Sequence, residues 1–331
     1  MGSTTKYTFT RALFTLAALT AGSLNAAVAQ QPPTEVIFRQ PTLSGISHDM
    51  VHPAAGKERA GIGVFQMVLW QKNPERPDGR TVPVTWDAGE RTGLHAAQRR
   101  DSQFGFADAR GSTTVQISGD EVGAYVNSGD IEKHGACEKI MATPQYTFPP
   151  ASKPYPFIAT DGALNISLDL QVPTAVAEVR KGSLAYVTAD VEFVDQTSGT
   201  RISNGIWLFS LGNAAKSRPM TGYDVNSHSF MMNTPLRADG PWAHPLPGSA
   251  FTDERPWTGY RTFKFQIDHD GFRKALLTLK ASRPDQKLSV DPKDYAFYRF
   301  HLNAEISCTS AHAELGWSMK GLQFALAKAA R

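Results

Sequence analysis

Only 2 cysteines occur in 331 residues, which excludes a scaffold held together by many disulfides. No run of about eighteen apolar residues is present to read as a membrane-spanning helix. Neither sign of charge dominates: Lys+Arg 34 against Asp+Glu 31 leaves +3, too small an excess for binding driven by phosphate neutralisation, so no nucleic-acid partner is expected. Phosphate-binding glycine loops and dinucleotide fingerprints are missing. The nearest approach to a G-x-S-x-G elbow, Gly316-Trp317-Ser318-Met319-Lys320-Gly321, is one residue too long and sits in a strand pattern. His48 and His52 are spaced like helical zinc ligands, but Pro41, Gly45 and Pro53 make that segment a loop. Asp268-His269-Asp270-Gly271 begins like a calcium loop and then lacks the later ligands. Neither a metal nor a cofactor is therefore expected.

What is present starts at the N-terminus. Lys6 and Arg11 precede an apolar stretch from Ala12 to Leu24, and Ala27-Val28-Ala29 before Gln30 forms a small-x-small cleavage site. Residues 1–29 read as a signal peptide, so the protein is expected to be secreted or periplasmic, with no integral membrane segment after its removal. Export also favours a disulfide between Cys137 and Cys308, which would close a loop of 170 intervening residues.

Beyond the leader, apolar and polar residues alternate with period two, the mark of half-buried strands. Leu164 to Val172 and Ala185 to Phe193 alternate without a break, and Asn204 to Leu211, Thr262 to Ile267, Tyr295 to Cys308 and Leu315 to Leu326 follow. Earlier candidates are Glu35 to Phe38, Gly63 to Trp70, Thr81 to Trp86, Thr113 to Ile117 and Val122 to Val126. Phe272, Leu276 and Leu279 break this rhythm with helical spacing, so one short helix is expected near 271–281, capped by Asp270 and stopped by Pro284. With no repeat and no linker, residues 30–331 are expected to form a single all-β domain, an antiparallel β-sandwich of jelly-roll type.

From Tyr295 to Cys308 the even positions are apolar, while the odd ones carry Tyr295, Phe297, Arg299, His301, Asn303, Glu305 and Ser307. Aromatic, guanidinium, imidazole, amide and carboxylate groups in one line suit a sugar-binding groove, where rings pack on pyranose C–H surfaces and fixed polar groups meet hydroxyls. A solvated sheet face alternates in the same way without any such role. Asp169, Gln171, Tyr186, Asp190, Glu192, Lys264 and Gln266 on other strands are candidates to extend the groove. The irregular stretch 212–260 offers Tyr223, His228, Trp242, His244, Trp257 and Tyr260 as part of a functional loop.

The strands Leu164–Val172, Ala185–Phe193 and Tyr295–Cys308 resemble those of the concanavalin A-like lectin and glucanase jelly rolls. The resemblance implies a carbohydrate ligand lying across one sheet face. No E-x-D-x-E signature of the hydrolases in that group occurs. A glycoside hydrolase would use Glu305 with Glu192 or Asp190, and His301 is a further catalytic candidate; Tyr186, Tyr295, Arg299, Asn303, Trp242 and Trp257 are the expected substrate contacts. In a polysaccharide lyase Arg299 would hold a uronate carboxylate, and His301 or Tyr295 would move the proton. A non-catalytic envelope protein would use the same face only to bind. The processed protein is expected to begin at Gln30 and to show no reactive thiol when denatured; titration of two thiols would refute the Cys137–Cys308 bridge.

Overall fold

The computed structural model describes residues 34–40, 64–72, 81–83, 94–96, 103–108, 113–128, 139–148, 153–179, 183–211, 219–224, 229–307 and 312–327. All of them belong to one compact unit, Pro32–Arg331. The expected leader, both cysteines, His48, His52 and His228 lie outside the described residues.

The strands, in chain order, are β1 (Thr34–Arg39), β2 (Val64–Lys72), β3 (Thr81–Pro83), β4 (Leu94–Ala96), β5 (Gln103–Asp108), β6 (Thr113–Ser118), β7 (Glu121–Asn127), β8 (Lys139–Thr147) and β9 (Ala163–Ala177). They continue with β10 (Leu184–Asp195), β11 (Arg201–Leu211), β12 (Met220–Asp224), β13 (Ser229–Pro235), β14 (His244–Pro245), β15 (Trp257–Asp268), β16 (Tyr295–Ser307) and β17 (Ala313–Ala327). Between β15 and β16 lie an α-helix, α1 (His269–Ser282), and a short 3-10 turn, Pro292–Asp294; α1 is the one α-helix among the described residues. One sheet runs β14-β15-β9-β17-β7-β6-β5-β4 with β1 also on β17; the other runs β12-β13-β11-β10-β16-β8-β2-β3. Every pairing is antiparallel except β11 with β13. The architecture is the expected β-sandwich.

Alternation explains the layers. Leu164, Ile166, Leu168 and Leu170 of β9 meet Val187, Ala189, Val191 and Phe193 of β10 in one buried cluster between the sheets. Each of the Leu, Ile, Val and Phe side chains contributes about 1.5–3 kcal/mol by leaving water. Turn chemistry matches as well. Between β6 and β7, Gly119 takes φ 60°, a left-handed conformation that costs glycine no Cβ clash.

Helix α1 closes one end of this core. Its Phe272 stacks on Phe157 at 4.8 Å and packs against Phe193 and Tyr295. The cap differs from expectation: Asp268, not Asp270, is the N-cap, its carboxylate accepting the Gly271 N–H at 2.6 Å. The helix starts two residues earlier than the apolar spacing indicates, because cap geometry and not the first apolar side chain fixes its start.

The stretch 212–260 is not one irregular loop, since β12, β13 and β14 lie within it. Ser229–Pro235 is buried on most positions of both faces, so its sequence has no clean alternation to read. Asp268→Ala should lower the unfolding free energy by about 1 kcal/mol, whereas Asp270→Ala, at an exposed site, should stay within about 0.5 kcal/mol. Urea unfolding of both variants checks which aspartate caps the helix.

Candidate functional site

Strands β10 and β16 are neighbours, and their register aligns two of the polar lines read from the sequence. Tyr186 pairs with Glu305, Thr188 with Asn303, Asp190 with His301 and Glu192 with Arg299. On the other side of β10, β11 brings Ser203 to Glu192, Gly205 to Asp190 and Trp207 to Thr188. On the other side of β16, β8 brings Thr147 to Arg299 and Gln145 to His301. The face turned away from the core is therefore a continuous polar field across four strands.

A bulge shapes one end of it. Glu192 pairs with Arg299 but Phe193 pairs with Phe297, leaving Tyr298 as an extra residue in β16. The extra residue reverses the alternation. Phe297 and Tyr295 turn into the core, where the Tyr295 hydroxyl donates to the Ser289 carbonyl at 2.8 Å. Tyr298 moves to the polar face beside Arg299. Tyr295 is thus a core residue and not the substrate contact expected.

Glu192 is the anchor of the site. It is 3% exposed, and its carboxylate accepts from Arg299 Nε at 3.1 Å and from Arg299 Nη2 at 2.8 and 2.7 Å. His301 Nε2 lies 2.7 Å from the Glu192 Oε1 atom, as hydrogen-bond partner of the same carboxylate. Burial alone would raise the Glu192 pKa, but the Arg299 guanidinium and then His301 outweigh it and hold the carboxyl well below the usual carboxylate range.

Asp190, two residues earlier on the same face, has the opposite character. Burial pushes its pKa up to about 6, with the Glu192 charge adding to the rise and His301, Ser203 and Asn303 opposing it. Ser203 Oγ donates to Asp190 Oδ1 at 3.3 Å, and Asp190 Oδ2 is buried without a hydrogen-bond partner. The carboxyl fits only because Gly205 faces it: a Cβ there would lie 2.7 Å from Asp190 Oδ1 and would also overlap Asn233 Oδ1. Around this pair, Arg299 and His301 retain 21% and 14% side-chain exposure, so solvent reaches these two side chains more than the carboxyls they flank.

The remaining residues extend the field. Asn303 Oδ1 accepts from Thr143 Oγ1 at 2.8 Å. Glu305 hydrogen-bonds Tyr186, whose hydroxyl pKa is raised well above 10.0 by burial first and by the Glu305 charge second. Glu305 and Glu192 cannot act as a pair. Glu305 pairs with Tyr186, six residues before Glu192 on β10, and Glu192 pairs with Arg299, six residues before Glu305 on β16, so about 20 Å of strand separates them. Asp190 and Glu192, at about 6.8 Å along one strand, can.

Other expected members lie elsewhere. Trp242 and Trp257 are in the core, where Trp257 Nε1 donates to the Leu170 carbonyl at 3.2 Å, because the apolar face between the sheets buries more ring area than a surface loop would. Asp169, Gln171, Lys264 and Gln266 belong to β9 and β15 of the other sheet and cannot extend this face. There Asp169 accepts from Thr262 Oγ1 at 2.6 Å and Gln171 donates to Ser318 Oγ at 2.7 Å. Conversely Trp207, Tyr298, Gly205 and Gln145 join the face unannounced by the sequence pattern. Among the described residues no three His, Cys, Asp or Glu side chains are arranged to hold a metal ion.

No family model and no curated protein matches the chain. Among solved structures it is similar to the family 11 xylanase from Neocallimastix patriciarum, at 11% identity over 70% of this chain and 94% of that one, with a TM-score of 0.33. It is similar to the xyloglucanase domain of a type three effector from Sinorhizobium fredii, at 13% identity, 70% and 97% coverage and a TM-score of 0.33. An ENZbleach xylanase mutant aligns at 10% identity, 86% and 93% coverage and a TM-score of 0.30. What the polar face can do chemically follows from its own geometry.

The two carboxyls should be separable by stability. Glu192→Gln leaves Arg299 and His301 without their buried counter-charge and should cost about 3 kcal/mol of unfolding free energy. Asp190, whose folded pKa is raised from 3.8 to about 6, binds its proton more tightly when folded, so its contribution to stability falls as pH rises between those values. Glu192 has the opposite sign, losing its contribution as pH falls below the ordinary carboxylate range. Denaturation midpoints measured across this range should show the Asp190 slope in the parent protein and not in Asp190→Asn.

Proposed function

We propose that the protein is a carbohydrate-active enzyme that binds a polysaccharide along the polar face of β11, β10, β16 and β8, and that it is a glycoside hydrolase. One observation carries this reading: two carboxyls on one face, two residues apart, are driven to opposite protonation states. Glycosidic cleavage needs one carboxyl that holds a proton and one that stays charged, separated by roughly 5 to 9.5 Å.

Asp190 is the general acid. Its proton goes to the glycosidic oxygen as the bond to the sugar carbon breaks, and positive charge develops on that carbon. Glu192, kept ionised by Arg299 and His301, stabilises that charge and either attacks the carbon or takes a proton from the attacking water. Arg299, His301 and Asn303 supply hydrogen bonds to sugar hydroxyls, and the rings of Tyr186 and Trp207 supply apolar contact. Glu305, paired with Tyr186, shapes the binding surface and takes no part in the proton transfer. The leader read from residues 1–29 fits an enzyme whose polymeric substrate lies outside the cytoplasm.

A second reading, β-elimination on a uronate polymer, is favoured by the way Glu192 orients Arg299 and His301 side by side. There Arg299 meets the uronate carboxylate and His301 removes the neighbouring proton.

Incubation with neutral and uronic polysaccharides separates the two. Hydrolysis gives new reducing ends and no unsaturated uronate absorbance, whereas elimination gives both. For hydrolysis, kcat/KM should fall above about pH 6 as Asp190 loses its proton. Asp190→Asn should reduce turnover by about 10²–10⁴-fold. Absence of any product from either polymer class would sink the enzymatic reading.

A further inference from the structure

Asp190 has a neighbour on β13 that the proposed reaction does not use. Strand β13 runs parallel to β11 and sets Asn233 beside Gly205. Met231 and Asn233 are half-buried while Met232 between them is in the core, so Asn233 lies on the polar face. Gly205 stands between Asn233 and Asp190 in the register, paired with one on each side. A Cβ on Gly205 would overlap Asn233 Oδ1 and would lie 2.7 Å from Asp190 Oδ1. Because the glycine carries none, both oxygens converge over the same backbone position.

Two oxygens brought together repel unless a proton lies between them. An amide oxygen has lone pairs and no proton, so the proton has to come from the carboxyl. Other neutral groups at Asp190 have the opposite character. Ser203 Oγ donates to Asp190 Oδ1 at 3.3 Å, and Asn303 also favours the ionised carboxyl. The titratable groups around Asp190 are Glu192 and Tyr186 on β10 and Arg299, His301 and Glu305 on β16, whereas β11 and β13 set Ser203, Gly205 and Asn233 beside it, none of which titrates. Asn233 is thus the uncharged acceptor in a setting of donors.

We infer that Asn233 is a positioning residue for Asp190: its amide oxygen accepts the hydrogen bond of the carboxyl group and keeps the proton there until a glycosidic oxygen replaces the amide as acceptor. This deepens the proposed function and rests on its assignment of Asp190 as the acid. Gly205 is the residue that lets the contact form, since any side chain at that position would separate the two oxygens.

The Asp190 carboxyl can be followed without substrate by carbon-13 NMR titration of the full chain, its signal identified by its loss in Asp190→Asn. Asn233→Ala and Asn233→Leu differ in bulk and both lack the acceptor. Each should make Asp190 ionise about tenfold more readily, a midpoint about one pH unit below that of the parent. Asn303→Ala removes a donor and should move the midpoint upward. A pocket that was merely loosened or opened to water would lower it in all three variants, so the opposite signs report hydrogen bonding and not packing. The descending limb of kcat/KM on a cleaved polysaccharide should move with the titration.

A midpoint unchanged or raised in whichever Asn233 variant keeps the parent's melting temperature would overturn the role of Asn233, as would an equal fall in Asn303→Ala. Either result leaves the hydrolase reading standing. Absence of product from every polymer would sink that reading instead, with the Asn233 shift still measurable.

Discussion

A carboxylate taken out of water must be compensated, and Glu192 is compensated twice. The desolvation of such a charge costs several kcal/mol, which only close, well-oriented partners return. Arg299 reaches Glu192 from the directly opposed position on β16 and His301 from two residues away, so both partners depend on one strand register. A slip by one residue would turn every one of these side chains into the core. The polar cluster and the apolar layer behind it therefore enforce the same alignment of β10 on β16. Asp190 depends on the pair in turn, since the charge fixed at Glu192 adds to the rise in its pKa.

The bulge at Tyr298 lets one strand serve two purposes. Before it, Tyr295 and Phe297 fill the core against Phe272 and Phe193. After it, Phe300, Leu302, Ala304 and Ile306 do so while Arg299, His301, Asn303 and Glu305 face outward. The same extra residue puts a tyrosine beside a guanidinium at the end of the polar field. Bulges commonly re-aim side chains next to active sites, and here one residue moves an aromatic ring out of the hydrophobic layer.

Much of the fold could be read from the chain because alternation is a local property. Leu164 to Val172 and Ala185 to Phe193 lie in β9 and β10, and one helix lies where its spacing placed it. Residues of the site were legible where alternation held, as for Arg299, His301, Asn303 and Glu305. Their partners were not, because pairing between distant strands leaves no mark in either strand's own pattern. Tyr295 was misplaced because the bulge changes parity without a glycine or proline to signal it. Trp207 went unnoticed because Arg201–Leu211 is buried on nearly every position and shows no alternation. The assignment of Asp169 and Lys264 to the same groove failed for a further reason: polar faces of the two sheets look alike in sequence and differ only in topology.

The place of β17 carries a consequence for how the molecule is made. The last described strand is the middle of its sheet, bonded to β9 along one edge and to both β7 and β1 along the other. Thr34 pairs with Ala327, so among the described strands β1 finds its hydrogen-bonding neighbour only once β17 has been synthesised. During synthesis β9 and β7 thus present open edges that only the final segment joins. Contacts of such long sequence separation make folding slow and late, with exposed strand edges prone to aggregation in the meantime. Deleting Ala313–Ala327 would therefore remove the centre of the sheet and not its margin.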